Sequence, residues 1–78
     1  MTYRVLFEPR AAMDLEAVEP ARREQILTRV GGLAASPREA PDIENLEDGG
    51  YRLRHDDWRV VYEVDDGLHL VFVLKIRG

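Results

Sequence analysis

Apolar residues recur with three different spacings along the chain, and each change of spacing marks an element. From Tyr3 to Phe7, a run rich in β-branched and aromatic residues places Tyr3, Val5 and Phe7 on one parity before Glu8-Pro9 interrupts it, which predicts a strand. From Pro9 the period lengthens. Ala11, Leu15 and Val18 stand at i, i+4 and i+7, and proline at a first helical position already has the dihedral a helix needs. The spacing predicts a short amphipathic helix ending before Pro20. Pro20 opens a second helix in the same way, with Ile26, Val30 and Leu33 as its apolar stripe, Leu27 and Ala34 beside it, and Arg22, Arg23, Glu24 and Arg29 turned outward. Helices joined by so few residues predict an antiparallel pair. Gly31-Gly32 weakens the last turn by about 1 kcal/mol per glycine relative to alanine, and Ser36-Pro37 ends the helix. Residues 37–48 carry Pro37, Pro41 and five acidic side chains with only Ile43 and Leu46 as anchors, and read as a surface connection.

The remaining residues predict three strands, Tyr51 to His55, Trp58 to Val64 and Leu68 to Ile76, separated by Asp56-Asp57 and by the hairpin signal Asp65-Asp66-Gly67. Alternation divides them into two faces. Tyr51, Leu53, Val60, Tyr62, Val64, Leu70, Phe72, Leu74 and Ile76 are expected on the buried side, with Arg52, Arg54, Arg59, Glu63, Lys75 and Arg77 on the other. The expected fold class is α+β: a two-layer β-α-α-β-β-β arrangement in which a mostly antiparallel four-stranded sheet packs on a helical hairpin.

A chain of 78 residues is too short for two cores, so residues 1–78 are read as a single domain of modest stability that gains from a partner. With no cysteine, disulfides, thiolate metal sites and thiol nucleophiles are excluded, and a reducing cytoplasm is the expected location. His55 and His69 lie on different predicted strands without a ligand pattern, so no metal or other cofactor is expected. No apolar run approaches the roughly 20 residues of a spanning helix, and Met1-Thr2-Tyr3-Arg4-Val5 lacks the basic-then-apolar order of an export signal. No membrane association is expected. The net charge of −4 argues against coating nucleic acid through the overall field. Its distribution changes that picture, because residues 1–48 hold six basic and ten acidic side chains whereas residues 49–78 hold five of each.

Within that balanced half, Arg52, Arg54 and Arg59 emerge from neighbouring predicted strands onto one face, and each guanidinium can fork two N–H donors toward a phosphate. The plainer reading of the same charges is a solvated face whose arginines pair with Glu63, Asp65 or Asp56. Both stay open on charge pattern alone. His69 shares the parity of Lys75 and is a weaker candidate acid or base, Glu63 reads as an ion-pair partner of Arg59 or Arg54, and Trp58 and Tyr51 read first as packing residues.

The order strand, two helices, loop, then Tyr51-Arg52-Leu53-Arg54, Trp58-Arg59-Val60-Val61-Tyr62-Glu63-Val64-Asp65-Asp66-Gly67 and Val71-Phe72-Val73-Leu74-Lys75-Ile76 resembles the RelE branch of the RelE/ParE toxin superfamily. The likeness covers nearly the whole chain, includes the Ser36-Pro37 stop, and is most specific over residues 51–67. It implies the toxin of a type II toxin–antitoxin pair, a ribosome-dependent mRNA endonuclease that inhibits translation and forms a hetero-oligomer with a RelB-like antitoxin. Its partners would be that antitoxin, the ribosome and mRNA. By the same resemblance Arg52, Arg54 and Arg59 are the catalytic residues, gripping the scissile phosphate while the adjacent 2′-hydroxyl attacks it, and Lys75 and Arg77 join them in binding RNA phosphates. Arginine stays protonated and serves proton transfer poorly, so the general base is unassigned. RelE-like chains continue past the last strand with an arginine and a tyrosine. This sequence reads Lys75-Ile76-Arg77-Gly78 at that place, from which weakened cleavage is expected. The alternatives are a ParE-like inhibitor that binds DNA gyrase and a non-catalytic antitoxin-binding member.

Overall fold

Both helices begin where proline sets the backbone dihedral. In the computed structural model, which describes residues 2–78 and leaves Met1 of the N-terminal stretch outside the described residues, α1 spans Pro9–Glu16 and α2 spans Pro20–Gly31. Arg23 ties the pair together: its guanidinium donates to the carbonyls of Leu15, Glu16 and Val18, at the end of α1 and in the joint that follows it. At Gly31-Gly32 the second helix tightens into a 3-10 turn over Gly32–Ala34, which buries Leu33.

The strands are β1 (Arg4–Phe7), β2 (Ile43–Asn45), β3 (Tyr51–His55), β4 (Trp58–Asp65) and β5 (Leu70–Arg77), in the sheet order β1-β5-β4-β3-β2. The sheet therefore has five strands rather than four, and it is mixed: β1 runs parallel to β5, while the other neighbours are antiparallel. The additional strand lies in the segment read as a surface connection. Asp48-Gly49, with Gly49 at φ 95, turns Ile43–Asn45 back onto β3, and the bidentate contact of Arg29 with Asp42 at 2.7 Å anchors its start. Three residues alternate too briefly to announce a strand by pattern.

The assignment of faces on β5 also needs correction. Val71 and Val73 are fully buried, whereas Leu70, Phe72 and Leu74 are half-exposed. The register runs Tyr62↔Val73 and then Val61↔Lys75, so Leu74 is an unpaired bulge residue, and beyond it Ile76 returns to the core. A constant period of two cannot describe a bulged strand.

The inner sheet face packs on the helices through Leu53, Val60, Tyr62, Val71, Val73 and Ile76 against Ala11, Val18, Ile26, Val30 and Leu33. Tyr62 is the largest fully buried side chain, and its hydroxyl donates to the Pro37 carbonyl, joining the sheet to the segment that follows α2. Burial pushes the Tyr62 phenol up to about 12. Nearby, Arg38 donates to the Tyr51 hydroxyl at 2.7 Å and to Asp66 at 2.8 Å, and Asp66 also accepts from Tyr3. That chain of contacts links four parts of the chain at one end of the sheet. Among the described residues, no helix is long and apolar enough to cross a membrane.

Tyr62→Phe tests the buried contact. It keeps the ring but leaves the Pro37 carbonyl without its donor, so we expect a loss of about 1–2 kcal/mol, read as a lower urea midpoint at unchanged slope.

Candidate phosphate-binding face

Because Leu53 and Val60 point into the core, Arg52, Arg54 and Arg59 are driven to the opposite, outer face of the sheet. Register then places them in rows. Arg54 stands opposite Arg59, and Arg59 opposite Arg77; in the next row Glu44 stands opposite Arg52, Arg52 opposite Val61, and Val61 opposite Lys75. All five sequence-predicted cations thus share one face. For Lys75 and Arg77 the bulge is decisive, since unbroken alternation from Val71 and Val73 would turn both inward. Directly opposed side chains in an antiparallel pair have Cβ atoms about 4.5–5.5 Å apart, and like charges so placed repel.

The end of β5 is held from the helical layer. β1 stops pairing at Phe7↔Val73, and beyond that point Asp14 of α1 accepts the Ile76 N–H at 3.0 Å. Asp14 is thereby a positioning residue for the strand end that carries Lys75 and Arg77.

One carboxylate enters the cationic face. Glu44 accepts from Arg52 Nη2 at 3.1 Å, from Arg52 Nε at 3.3 Å and from Arg54 Nε at 2.7 Å. These bonds, from Arg52 first and then Arg54, hold its carboxyl at about 2, well below the ordinary 4.5. Among the described residues, Arg59, Lys75 and Arg77 have no carboxylate in ion-pair contact. The expected pairing with Glu63, Asp65 or Asp56 is therefore not what forms: Glu63 stands opposite Phe72, Asp65 opposite Leu70, and Asp56 lies 3.7 Å from Arg22. Local pattern announces neither Glu44 nor its strand; the turn around Glu47-Asp48-Gly49, with Ile43 and Leu53 each five residues from Asp48, is the signal in the sequence that bears on both.

The remaining candidates lie elsewhere. His69 sits in the turn before β5 at φ 53, its ring 5.4 Å from Tyr3, at the opposite end of β5 from Lys75 and Arg77. Tyr51 stacks on Tyr62 with centroids 5.5 Å apart, and Trp58 packs on the core with Gly78 close against its indole, so neither ring is free to stack on a base. A cavity of about 440 Å³ opens at the far end of the sheet, but Asp48, Glu63, Asp65 and Asp66 line it together with Phe72, a charge that repels phosphate. The outer face is thus positive on one side of the bulge and acidic on the other.

Residues 5–78 match the model of a family described as the ParE toxin of the type II toxin–antitoxin system, parDE. Among curated proteins none matches the sequence. Among solved structures, the chain superposes on the toxin–antitoxin complex RelBE2 of Mycobacterium tuberculosis with a TM-score of 0.88 at 23% identity, covering 100% of this chain and 99% of that one. The intact RelBE toxin–antitoxin complex of Escherichia coli gives 0.82 at 26% identity, with 95% and 93% covered. The archaeal RelE–RelB complex of Pyrococcus horikoshii gives 0.77 at 24% identity, with 100% and 96% covered.

Acid titration tests the ion pairs. Asp42, Glu44 and Asp66 titrate below their ordinary values in the folded chain, so their contribution to stability is complete above the unfolded-state pKa of about 4 and is lost as pH falls toward the folded values, about 2 for Glu44. We expect melting temperature to fall through that window, and Glu44→Gln to flatten part of the fall.

Proposed function

The chain belongs to the ParE toxin family of type II toxin–antitoxin systems, within the RelE/ParE superfamily, and from that premise we propose that its cationic face grips messenger RNA on the ribosome and promotes cleavage there. The observation that carries this reading is the row Arg54, Arg59 and Arg77, opposed across three strands, in which Arg54 meets Glu44 while, among the described residues, Arg59 and Arg77 have no carboxylate in ion-pair contact. Such a row works against folding, and a bound polyanion relieves it. Arg52 and Lys75, one row on, extend the same patch along the direction a phosphodiester backbone would follow.

In the proposed reaction the ribose 2′-oxygen attacks the adjacent phosphorus, its proton departs, and the bond to the 5′-oxygen breaks as that oxygen takes up a proton. The phosphorane between these events is doubly negative, and Arg52, Arg54 and Arg59 supply fixed positive charge where it develops. Proton transfer is assigned to none of them, because a guanidinium does not deprotonate at neutral pH. The ribosome would hold the message and place it on the face.

A specific observation favours a second reading, a toxin that binds and does no chemistry, such as a ParE-like inhibitor of DNA gyrase. Glu44, among the described residues the one carboxylate bonded to the cationic residues, is held near 2 and is a poor proton acceptor at neutral pH. Inhibition of supercoiling by purified gyrase, with no cleavage of ribosome-bound message, would select it.

Arg59→Ala separates function from stability. We expect ribosome-dependent cleavage to fall about 100- to 1,000-fold. Because the substitution relieves repulsion from Arg54 and Arg77, the melting temperature should hold or rise. A fall in stability that matches the loss of cleavage would contradict the assignment.

The partner proposed is a RelB-like antitoxin, supported by the three toxin–antitoxin complexes whose toxins share this fold. Met13 on α1 is 70% exposed and Leu27 on α2 is 41% exposed, apolar surface that a helical, apolar and basic segment would cover. Coexpression with the neighbouring reading frame should yield a complex that melts higher than the chain alone.

A further inference from the structure

We infer that Glu44 is a resident competitor of phosphate: its carboxylate occupies the Arg52–Arg54 pair, and a ligand engages that pair only by displacing it. The inference rests on the phosphate-binding part of the proposed function and not on cleavage. Both Glu44 oxygens are engaged by the Arg52 fork, and one of them also accepts from Arg54. Three N–H donors converging on two oxygens of one anion is the arrangement arginines offer to a phosphate. The Glu44 backbone is held by its pairing with Arg52 and by the Arg29–Asp42 contact two residues before it. Its side chain is 40% exposed, so it can swing to solvent without moving the strand. A ligand with one phosphate breaks these bonds and gains only the two arginines in return. One with several adjacent phosphates also gains Arg59, Lys75 and Arg77, none of which needs to be released from a carboxylate. Glu44 thus sets a charge threshold that favours polyanions.

The test uses the full chain and two probes, inorganic phosphate followed by the arginine Nε–H resonances and a short single-stranded RNA followed by anisotropy. Glu44→Gln removes the charge at nearly constant shape, and Glu44→Ala removes the side chain's polar end. Glu47→Gln, in the β2–β3 turn, makes the same change in net charge without touching Arg52 or Arg54. Glu44→Gln and Glu44→Ala should bind both probes about three- to tenfold more tightly than the wild type. For RNA, log K should fall more steeply with log salt, by roughly 0.7 for each cation released to the ligand. Glu47→Gln should change neither quantity, and in an Arg52→Gln/Arg54→Gln background the gain from Glu44→Gln should vanish. Phosphate affinity that is unchanged or weaker in both Glu44 variants overturns the inference whatever RNA does, as does an equal gain from Glu47→Gln or a gain that survives loss of both arginines. A gain for phosphate with no RNA binding by any variant keeps the inference and removes the RNA reading.

Discussion

The bidentate contact between Arg29 and Asp42 holds the candidate site in place. Arg29 lies in the last turn of α2, where a cation is favoured by the helix dipole, and Asp42 immediately precedes β2. The contact draws the carboxyl of Asp42 below its ordinary range, the sign of a pair that favours the ionised form. Asp42 also accepts the Arg54 N–H through its backbone carbonyl at 2.9 Å, so the same residue meets the helical layer with its side chain and β3 with its main chain. A three-residue edge strand has little pairing energy of its own. Anchored in this way, it brings Glu44 onto the two arginines of β3.

Opposed charge on the outer face follows from register rather than from composition. Arg54 and Arg59 flank the tight β3–β4 turn and Arg77 lies eighteen residues beyond Arg59, so that turn and the β5 bulge align them. Folding alone gains nothing from that alignment. The acidic cavity beyond the bulge shows how sharply the field changes along β4, from Arg59 to Glu63 and Asp65 on the same face. A polyanion lying along the outer face would meet attraction at one end and repulsion at the other, which orients it.

Among the described residues, the helices cover one face of the sheet. The chain's 78 residues supply one layer of helices on one side of the sheet, so the other side is open and its chemistry is that of a surface. Such an open face offers charge and shape over an extended area rather than a water-excluding pocket.

Local pattern determined much of this. Proline at Pro9 and Pro20, the stripes of α1 and α2, the bounds of β3, and the sharing of one face by Arg52, Arg54 and Arg59 were legible because each depends on spacing within a few residues, whereas Lys75 and Arg77 reach that face through the bulge. The match between Tyr51–Gly67 and the RelE pattern was legible for the same reason. What only the tertiary structure decided were relations between distant segments: the parallel pairing of β1 with β5, the strand formed by Ile43–Asn45, the inward turn of Val71 and Val73, and the seat of Glu44 between two arginines. A bulge changes parity without changing composition, and the short edge strand is anchored by Arg29, thirteen residues before Asp42. Periodicity registers neither, because both are settled by what lies beside a segment in space rather than by what precedes it in the chain.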